Sequence, residues 1–311
     1  MKVVVAGGAG FIGAAVSERL ASDGHDVTAV DCHLGVLYPQ EVSRERAERL
    51  NQQGVRTLML DLRRDSVDDL VHEADVIINE AAMPGLSPSW TDFQTYQDCN
   101  LLVVQRLLDA VSRRPGAHFV QASTSSVYGE VADGDESMPV RPVSPYGVTK
   151  LAAENLVAAY RRTHGVSATV LRYFSVYGPG QRPDMAYAII CDRLTRGLPI
   201  SVTGDGRQSR TNTYIDDVVA ATIAAAQRRP DGETMNVCGH DEIALLDAIE
   251  ILAGEIGTRP VIEFVDARAG DQRRTRGDAG LAKRVLAWEA CVGIDEGLRR
   301  QAAHAASALE V

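Results

Sequence analysis

Tyr146 and Lys150 stand four residues apart in the stretch Ser144-Pro145-Tyr146-Gly147-Val148-Thr149-Lys150, at the start of what reads as a helix. Side chains at i and i+4 share a helical face, so the ammonium can reach the phenol. A nearby cation favours the phenolate and lowers the tyrosine pKa, which makes a phenol usable as a base near neutral pH. The spacing alone is common, and a surface pair is its plain alternative. The chemistry therefore depends on whether the rest of the chain gives Tyr146 something to deprotonate. A run of hydroxyls, Ser123-Thr124-Ser125-Ser126-Val127-Tyr128-Gly129, lies upstream and is a candidate substrate contact.

The elements that must position these groups follow an alternating rhythm. Val3 to Ala6 reads as a short buried strand, and Gly7-Gly8-Ala9-Gly10-Phe11-Ile12-Gly13 follows it directly, ahead of a helical segment to about Ser22. Gly8, Gly10 and Gly13 satisfy G-x-G-x-x-G, and Gly7, Gly10 and Gly13 its looser form. Such glycines allow a tight turn and close backbone approach, so that a pyrophosphate can sit on the helix N-terminus. A second strand, Val27 to Val30, ends in Asp31, about 20 residues on, where an acid can hold a ribose hydroxyl and repel a 2′-phosphate. NAD is thus expected over NADP. A helix over Ser43 to Gln53, strands over Val55 to Leu60, Val76 to Asn79 and His118 to Ala122, and a long helix within Trp90 to Ser112 continue the pattern. Strands alternating with helices predict a doubly wound parallel α/β sheet that binds ligands at its strand C-termini.

Composition sets limits on partners. The 311 residues are 45% hydrophobic and carry a formal charge of −10, which suits a globular protein and argues against nucleic-acid or anionic-membrane surfaces. The five cysteines are scattered and the seven histidines show no H-x-x-x-H arrangement, so no metal site is expected. No leader is read before the first strand and no apolar run would span a bilayer, which predicts a cytoplasmic protein.

With the glycine motif, Asp31, Asp61, the hydroxyl run and Tyr146/Lys150 in this order, the chain resembles the extended short-chain dehydrogenase/reductases. More narrowly it resembles the nucleotide-sugar epimerase/dehydratase family, nearly end to end. Leu171-Arg172-Tyr173-Phe174-Ser175-Val176-Tyr177-Gly178-Pro179 is similar to the family's R-Y-F-N-V-Y-G-P segment, expected after the sixth strand. Gly204 to Arg210, Tyr214 to Val218, and Arg268-Ala269-Gly270-Asp271 match G-D-G-x-Q-x-R, Y-I-D-D-V and, less closely, R-P-G-D. The resemblance implies that Tyr146, Lys150 and Thr124 are catalytic. It implies cofactor contacts at Gly7, Gly10, Phe11, Ile12, Gly13, Asp31, Asp61, Leu62, Ala81, Ala82, Asn100 and Tyr173, besides Tyr146 and Lys150. Substrate contacts are implied at Pro84, Gly85, Ser125, Ser126, Ser175, Arg182, Met185, Arg210, Arg268 and Asp271. Arg210 and Arg268 would grip the nucleotide diphosphate, for which a planar, permanently charged fork is suited. For Arg182 a loop pair with Asp184 is an equally good reading.

The pair after Thr124 discriminates among the family's chemistries. Dehydratases carry Asp-Glu there and UDP-glucuronate decarboxylases usually a glutamate at the second position, whereas this chain has Ser125-Ser126. With no carboxylate for an extra step, plain 4-epimerisation is favoured. The compact segment Tyr177 to Ala186 and the pair Pro84-Gly85 look most like UDP-glucuronate 4-epimerases, with UDP-glucose or UDP-N-acetylhexosamine 4-epimerases as the alternative. Ser87, Glu80, Thr211-Asn212 and Ala269 depart from the usual pattern. The expected organisation is an NAD-binding domain of residues 1–174 with about 207–240, and a smaller C-terminal α/β UDP-sugar lobe of about 175–206 with 241–311. Family members are usually dimers, so a homodimer is implied. Leu151, Leu156 and Val157 are read equally as interface or as core.

Overall fold

The computed structural model describes residues 1–36, 39–266 and 273–307. Seven strands form one wholly parallel sheet in the spatial order Thr234–Val237, Ser167–Tyr173, His118–Thr124, Val76–Asn79, Lys2–Ala6, Asp26–Asp31, Arg56–Met59. This is the expected doubly wound arrangement. After Lys2–Ala6 the chain winds outward to one side, then returns to place Val76–Asn79 on the other side. The winding thus reverses between those two strands, and a ligand crevice opens beyond their C-terminal ends. Helices cover both faces: Val5, Val16, Val218 and Val219 belong to one buried cluster, Val4, Leu107, Ala153 and Val157 to the other. Val157 is therefore core, while Leu156 packs against that core only partly buried.

The strands buried on both faces need not be wholly apolar. His118–Thr124 is buried throughout, and its residues His118 and Gln121 pair with neighbouring strands. Gln121 accepts from the Asn79 amide at 2.9 Å, and His118 meets the Ser167 and Thr169 hydroxyls at 2.8 and 3.0 Å. Burial holds the His118 imidazole down to about 4, so it is a neutral structural group.

A second, four-stranded sheet has the order Glu242–Ala244, Ser209–Thr211, Arg274–Gly277, Val131–Gly134. Val131–Gly134 and Ser209–Thr211 lie within segments that the sequence assigns to the cofactor domain, yet they build this smaller sheet. The R-Y-F residues Arg172 and Tyr173 lie inside the Ser167–Tyr173 strand instead of after it. The long helix expected before Ser112 is also interrupted: Phe93–Gln97 is helical, Asp98–Leu102 is a π turn, and Val103–Ser112 resumes the helix. The extra residue of a π turn re-aims a side chain, here Asn100.

The helix that carries Tyr146 and Lys150 runs Pro145–His164. Ser144 caps it by accepting from the Gly147 amide at 3.1 Å, Pro145 occupies the first turn where its missing N–H costs nothing, and Gly165 ends it at φ 66°. Its middle is tied to the sheet by a buried ion pair. Arg172 donates to Glu154 through Nε at 3.0 Å and Nη2 at 2.7 Å, and through Nη1 to the Tyr128 hydroxyl at 2.9 Å. Ser123 donates to the same carboxylate at 2.5 Å, and Tyr128 donates to Asn236 at 2.7 Å. Removing one charge strands the other in the interior. Glu154→Ala should therefore destabilise the protein by about 3–5 kcal/mol, read from urea unfolding, and Glu154→Leu with Arg172→Met should recover most of that loss. Equal stability of Glu154→Ala and wild type would show that the pair does not hold the helix.

Candidate active site

The glycine loop closes on itself more tightly than any side chain allows. Gly7 adopts φ 75°, and the Gly7 and Gly8 amides both donate to the Val30 carbonyl, at 2.8 and 3.0 Å. A Cβ on Gly13 would lie 2.1 Å from the Gly7 oxygen, and one on Gly7 would lie 2.7 Å from the Ala81 nitrogen. The loop therefore presses against Ala81 and the first turn of the Phe11–Ser22 helix, which carries no acidic residue in that turn. An open helix N-terminus behind a glycine cradle suits a pyrophosphate. Asp31 braces the cradle by accepting from the Ala9 amide at 3.1 Å and the His33 amide at 2.9 Å. Each oxygen retains a lone pair for a hydroxyl. Asp61 lies at the end of the next strand with Arg63 forked across it, both contacts 2.8 Å, and that guanidinium holds its carboxyl below the usual range. Leu62 is buried beside it.

Thr124 and Tyr146 meet. Thr124 ends the His118–Thr124 strand and caps the short 3-10 turn Ser125–Tyr128, accepting from the Ser126 amide at 3.1 Å with its hydroxyl 3.2 Å from Ser126 Oγ. Burial raises the Tyr146 phenol above its ordinary value; a hydrogen bond with Thr124 and the Arg182 charge pull it back down, while Glu80 pushes it up. Arg182 is thus one cation that acts on the phenol. Lys150 donates to the Ala122 carbonyl at 2.6 Å. Burial lowers its ammonium pKa to about 8 against the upward pull of Glu80 and Glu154. An ammonium fixed on the strand end can hold a ribose hydroxyl from one side while the phenol faces Thr124 from another.

Other candidates divide between contact and support. Arg182 forks onto Asp184, both contacts 2.9 Å, with the Met185 sulfur at 3.5 Å, so it makes the loop pair and also faces the phenol. Asn100 is buried; its amide donates to the Met83 carbonyl and to Thr149 Oγ1, both at 3.0 Å, and its oxygen accepts from the Met83 amide at 2.8 Å. It staples the Ala81–Gly85 loop to the Pro145–His164 helix. Tyr173 is buried with its hydroxyl 2.7 Å from Glu80 Oε1. Ser175, half-buried, accepts at its carbonyl from the Thr213 amide at 3.1 Å. Arg210 lies on the second sheet, donating to the Ser209 carbonyl at 3.0 Å, and its charge reaches Tyr187. Arg268 and Asp271 lie outside the described residues. Among the described residues no group of three or more His, Cys, Asp or Glu side chains could hold a metal ion, and no helix is long and apolar enough to cross a membrane.

Three residues of the site escaped sequence reasoning. Tyr96 stands edge-on to Tyr146, ring centres 6.2 Å apart, with its hydroxyl 2.7 and 2.9 Å from the Pro84 and Gly85 carbonyls. Its signal is hidden because the π turn beside it is not visible as a pattern. Gly147 is needed for fit, since a Cβ there would lie 2.8 Å from the Ser126 carbonyl oxygen. The third is Glu80, noticed in sequence only as an odd residue.

The family model for the NAD dependent epimerase/dehydratase family matches residues 3–238. A Bacillus subtilis protein called an uncharacterized UDP-glucose epimerase is 35% identical over 99% of this chain and 98% of its own. The UDP-glucuronate 4-epimerase of Thermodesulfobacterium geofontis is 34% identical over 96% of this chain and 94% of its own. The crystal structure of UDP-glucuronic acid 4-epimerase from Bacillus cereus, in complex with UDP-glucuronic acid and NAD, superposes with a TM-score of 0.94 at 33% identity, covering 99% of this chain and 100% of that one.

Because Thr124 helps hold the phenol down, its removal should show in a pH profile. In Thr124→Val the rise of kcat/KM with pH is expected to move to higher pH, with activity at neutrality down about a hundredfold, and Thr124→Ser should restore the position. An unmoved profile in Thr124→Val would rule out the hydrogen bond as the phenol's counterweight.

Proposed function

Because the chain belongs to the NAD-dependent epimerase/dehydratase family, as an NAD-dependent nucleotide-sugar 4-epimerase, we propose that it interconverts UDP-glucuronate and UDP-galacturonate. The cradle of Gly7 to Gly13 with Asp31, Asp61, Leu62, Ala81, Ala82 and Lys150 would hold NAD. Bound NAD takes a hydride from C4 of the sugar and returns it to the opposite face. The chain's own groups handle the protons. Tyr146 as phenolate removes the C4 hydroxyl proton while Thr124 holds the same oxygen, and Tyr146 gives that proton back when the 4-ketose is reduced. Arg210 and Arg268 anchor the diphosphate, with Met185 and Asp271 beside the nucleotide, so that the sugar ring can turn over between the two transfers.

The observation that carries the uronate reading is the Ser125-Ser126 pair directly after Thr124, in a turn that abuts the catalytic helix at Gly147. A 4-keto uronate is a β-keto acid and loses CO2 when its carboxylate aligns with the carbonyl. The hydroxyls of Thr124, Ser125, Ser126 and Ser175 can hold the carboxylate away from that alignment, with Arg182 as the nearby cation. Pro84 and Gly85, whose carbonyls accept from the Tyr96 hydroxyl, would contact the sugar as well. A UDP-glucose reading is favoured by one residue: Ser87, exposed here, stands where uronate epimerases often carry arginine.

Incubation with UDP-glucuronate and with UDP-glucose, followed by NMR for the C4 epimer and for CO2, separates the two. Turnover of the uronate with little CO2 is expected, and preference for UDP-glucose would overturn the substrate assignment. Ser126→Glu should raise CO2 release relative to epimer, and an unchanged product ratio would count against carboxylate restraint by this turn.

A further inference from the structure

Glu80 sits where the ligand crevice opens, and no step above uses it. It directly follows the Val76–Asn79 strand, and its amide donates to the Ala6 carbonyl at 2.9 Å. A Cβ on Gly7 would come within 2.8 Å of the Glu80 carbonyl carbon, so Glu80 borders the glycine cradle. Its side chain starts a chain of close contacts. Glu80 Oε1 lies 2.7 Å from the Tyr173 hydroxyl, which lies 2.8 Å from Thr222 Oγ1, which in turn lies 2.7 Å from the Val218 carbonyl oxygen.

Each of these contacts needs a proton between two oxygens. The Val218 carbonyl has none, so the Thr222 proton goes there. The Tyr173 proton then goes to Thr222. Nothing remains for the contact between Tyr173 and Glu80 unless the carboxyl brings its own proton. An ionised Glu80 would leave lone pairs facing each other at one of the three contacts. We propose that Glu80 is a protonated carboxylic acid in the cofactor-free protein, and that binding of oxidised NAD expels its proton to solvent.

The surroundings fit such a group. Burial pushes the Glu80 carboxyl up to about 7 against the downward pulls of Tyr173 and Lys150. The titratable groups acting on it are Lys150 and Tyr146 from the Pro145–His164 helix and Tyr173 from the Ser167–Tyr173 strand. Thr222, from the Ile215–Arg228 helix, is polar but does not titrate, and the glycine cradle brings no charge. A cationic nicotinamide ring in this crevice attracts the carboxylate and not the acid, whereas the uncharged reduced ring attracts neither. Once ionised, Glu80 accepts the Tyr173 proton, and Thr222 keeps its bond to Val218. Glu80 is thus a positioning residue that favours the oxidised cofactor. The inference rests on NAD being the cofactor and is independent of which sugar is turned over.

The test uses the full chain freed of nucleotide and labelled with carbon-13 at its glutamate carboxyls. The Glu80 resonance, assigned by its loss in Glu80→Gln, should titrate near pH 7 in the free protein and at lower pH with oxidised NAD bound. Calorimetry reads the coupling. A group whose pKa falls on binding makes the complex tighter as pH rises toward the free-protein value, by up to about tenfold per pH unit, and has no effect above it. Oxidised NAD should show that rise and its plateau, while reduced NAD and the Glu80→Gln protein should show neither. If Glu80→Gln does not fold, Tyr173→Phe supplies the assignment, since loss of the Tyr173 hydrogen bond moves the same resonance upward. Titration of Glu80 in the ordinary carboxylate range, or equal pH dependence of NAD affinity in wild type and Glu80→Gln, overturns the proposal. Absence of NAD binding by the wild type would overturn the cofactor assignment and with it the coupling, while the free-protein titration still decides the protonation.

Discussion

Burial of the Tyr146 phenol is the constraint on which the site turns. Taking a phenol out of water favours its neutral form, yet a base must lose its proton. Every charged or hydroxyl group around it is therefore a weight on one side or the other. Thr124 and Arg182 favour the phenolate, and Glu80 opposes it. Lys150 is held on the Ala122 carbonyl, facing the strand ends where the cofactor belongs. A bound nicotinamide ring would add positive charge, so in the proposed reaction the phenol would act as a base chiefly with the cofactor in place.

That balance requires sub-ångström placement, which the fold supplies by rigid means. The Ser144 cap and Pro145 fix where the catalytic helix begins, and therefore where Tyr146 points. Gly147 lets the Ser125–Ser126 turn lie directly against the first turn of that helix. The Glu154–Arg172 pair locks the helix to two central strands, and Asn100, on its π turn, locks it to the loop of Ala81 to Gly85. None of these four devices touches a reacting atom. They give a structural purpose to buried polar groups such as Ser144, Asn100, Glu154 and Arg172, which would otherwise be an unexplained cost.

What could be read in the sequence was whatever repeats or keeps a fixed spacing. The strands Lys2–Ala6, Asp26–Asp31 and Val76–Asn79 are short β-branched runs bounded by turns, and they stand within a residue of their expected places. The glycine cradle was legible because its spacing is dictated by contacts within one turn. The bond from Lys150 to the Ala122 carbonyl is not legible, because helical spacing says which face a side chain shares and not which nearby carbonyl claims it. The π turn at Asp98–Leu102 was invisible for a similar reason: local periodicity cannot register one inserted residue whose compensation is a bond from Asn100 to Met83, 17 positions away. Glu80 looked like an anomaly in a strand end. Its partners Tyr173 and Thr222 come from elements far along the chain, so no local pattern links them to it.

In the proposed reaction Tyr146 moves a hydroxyl proton while the C4 hydrogen travels separately and returns to the same carbon. The most direct measurement is epimerisation of UDP-glucuronate in deuterium oxide, with the C4 position of the product followed by NMR. Full retention of protium at C4 is expected, with formation of the epimer abolished in Tyr146→Phe. Deuterium at C4 of the product, or an undiminished rate in Tyr146→Phe, would contradict it.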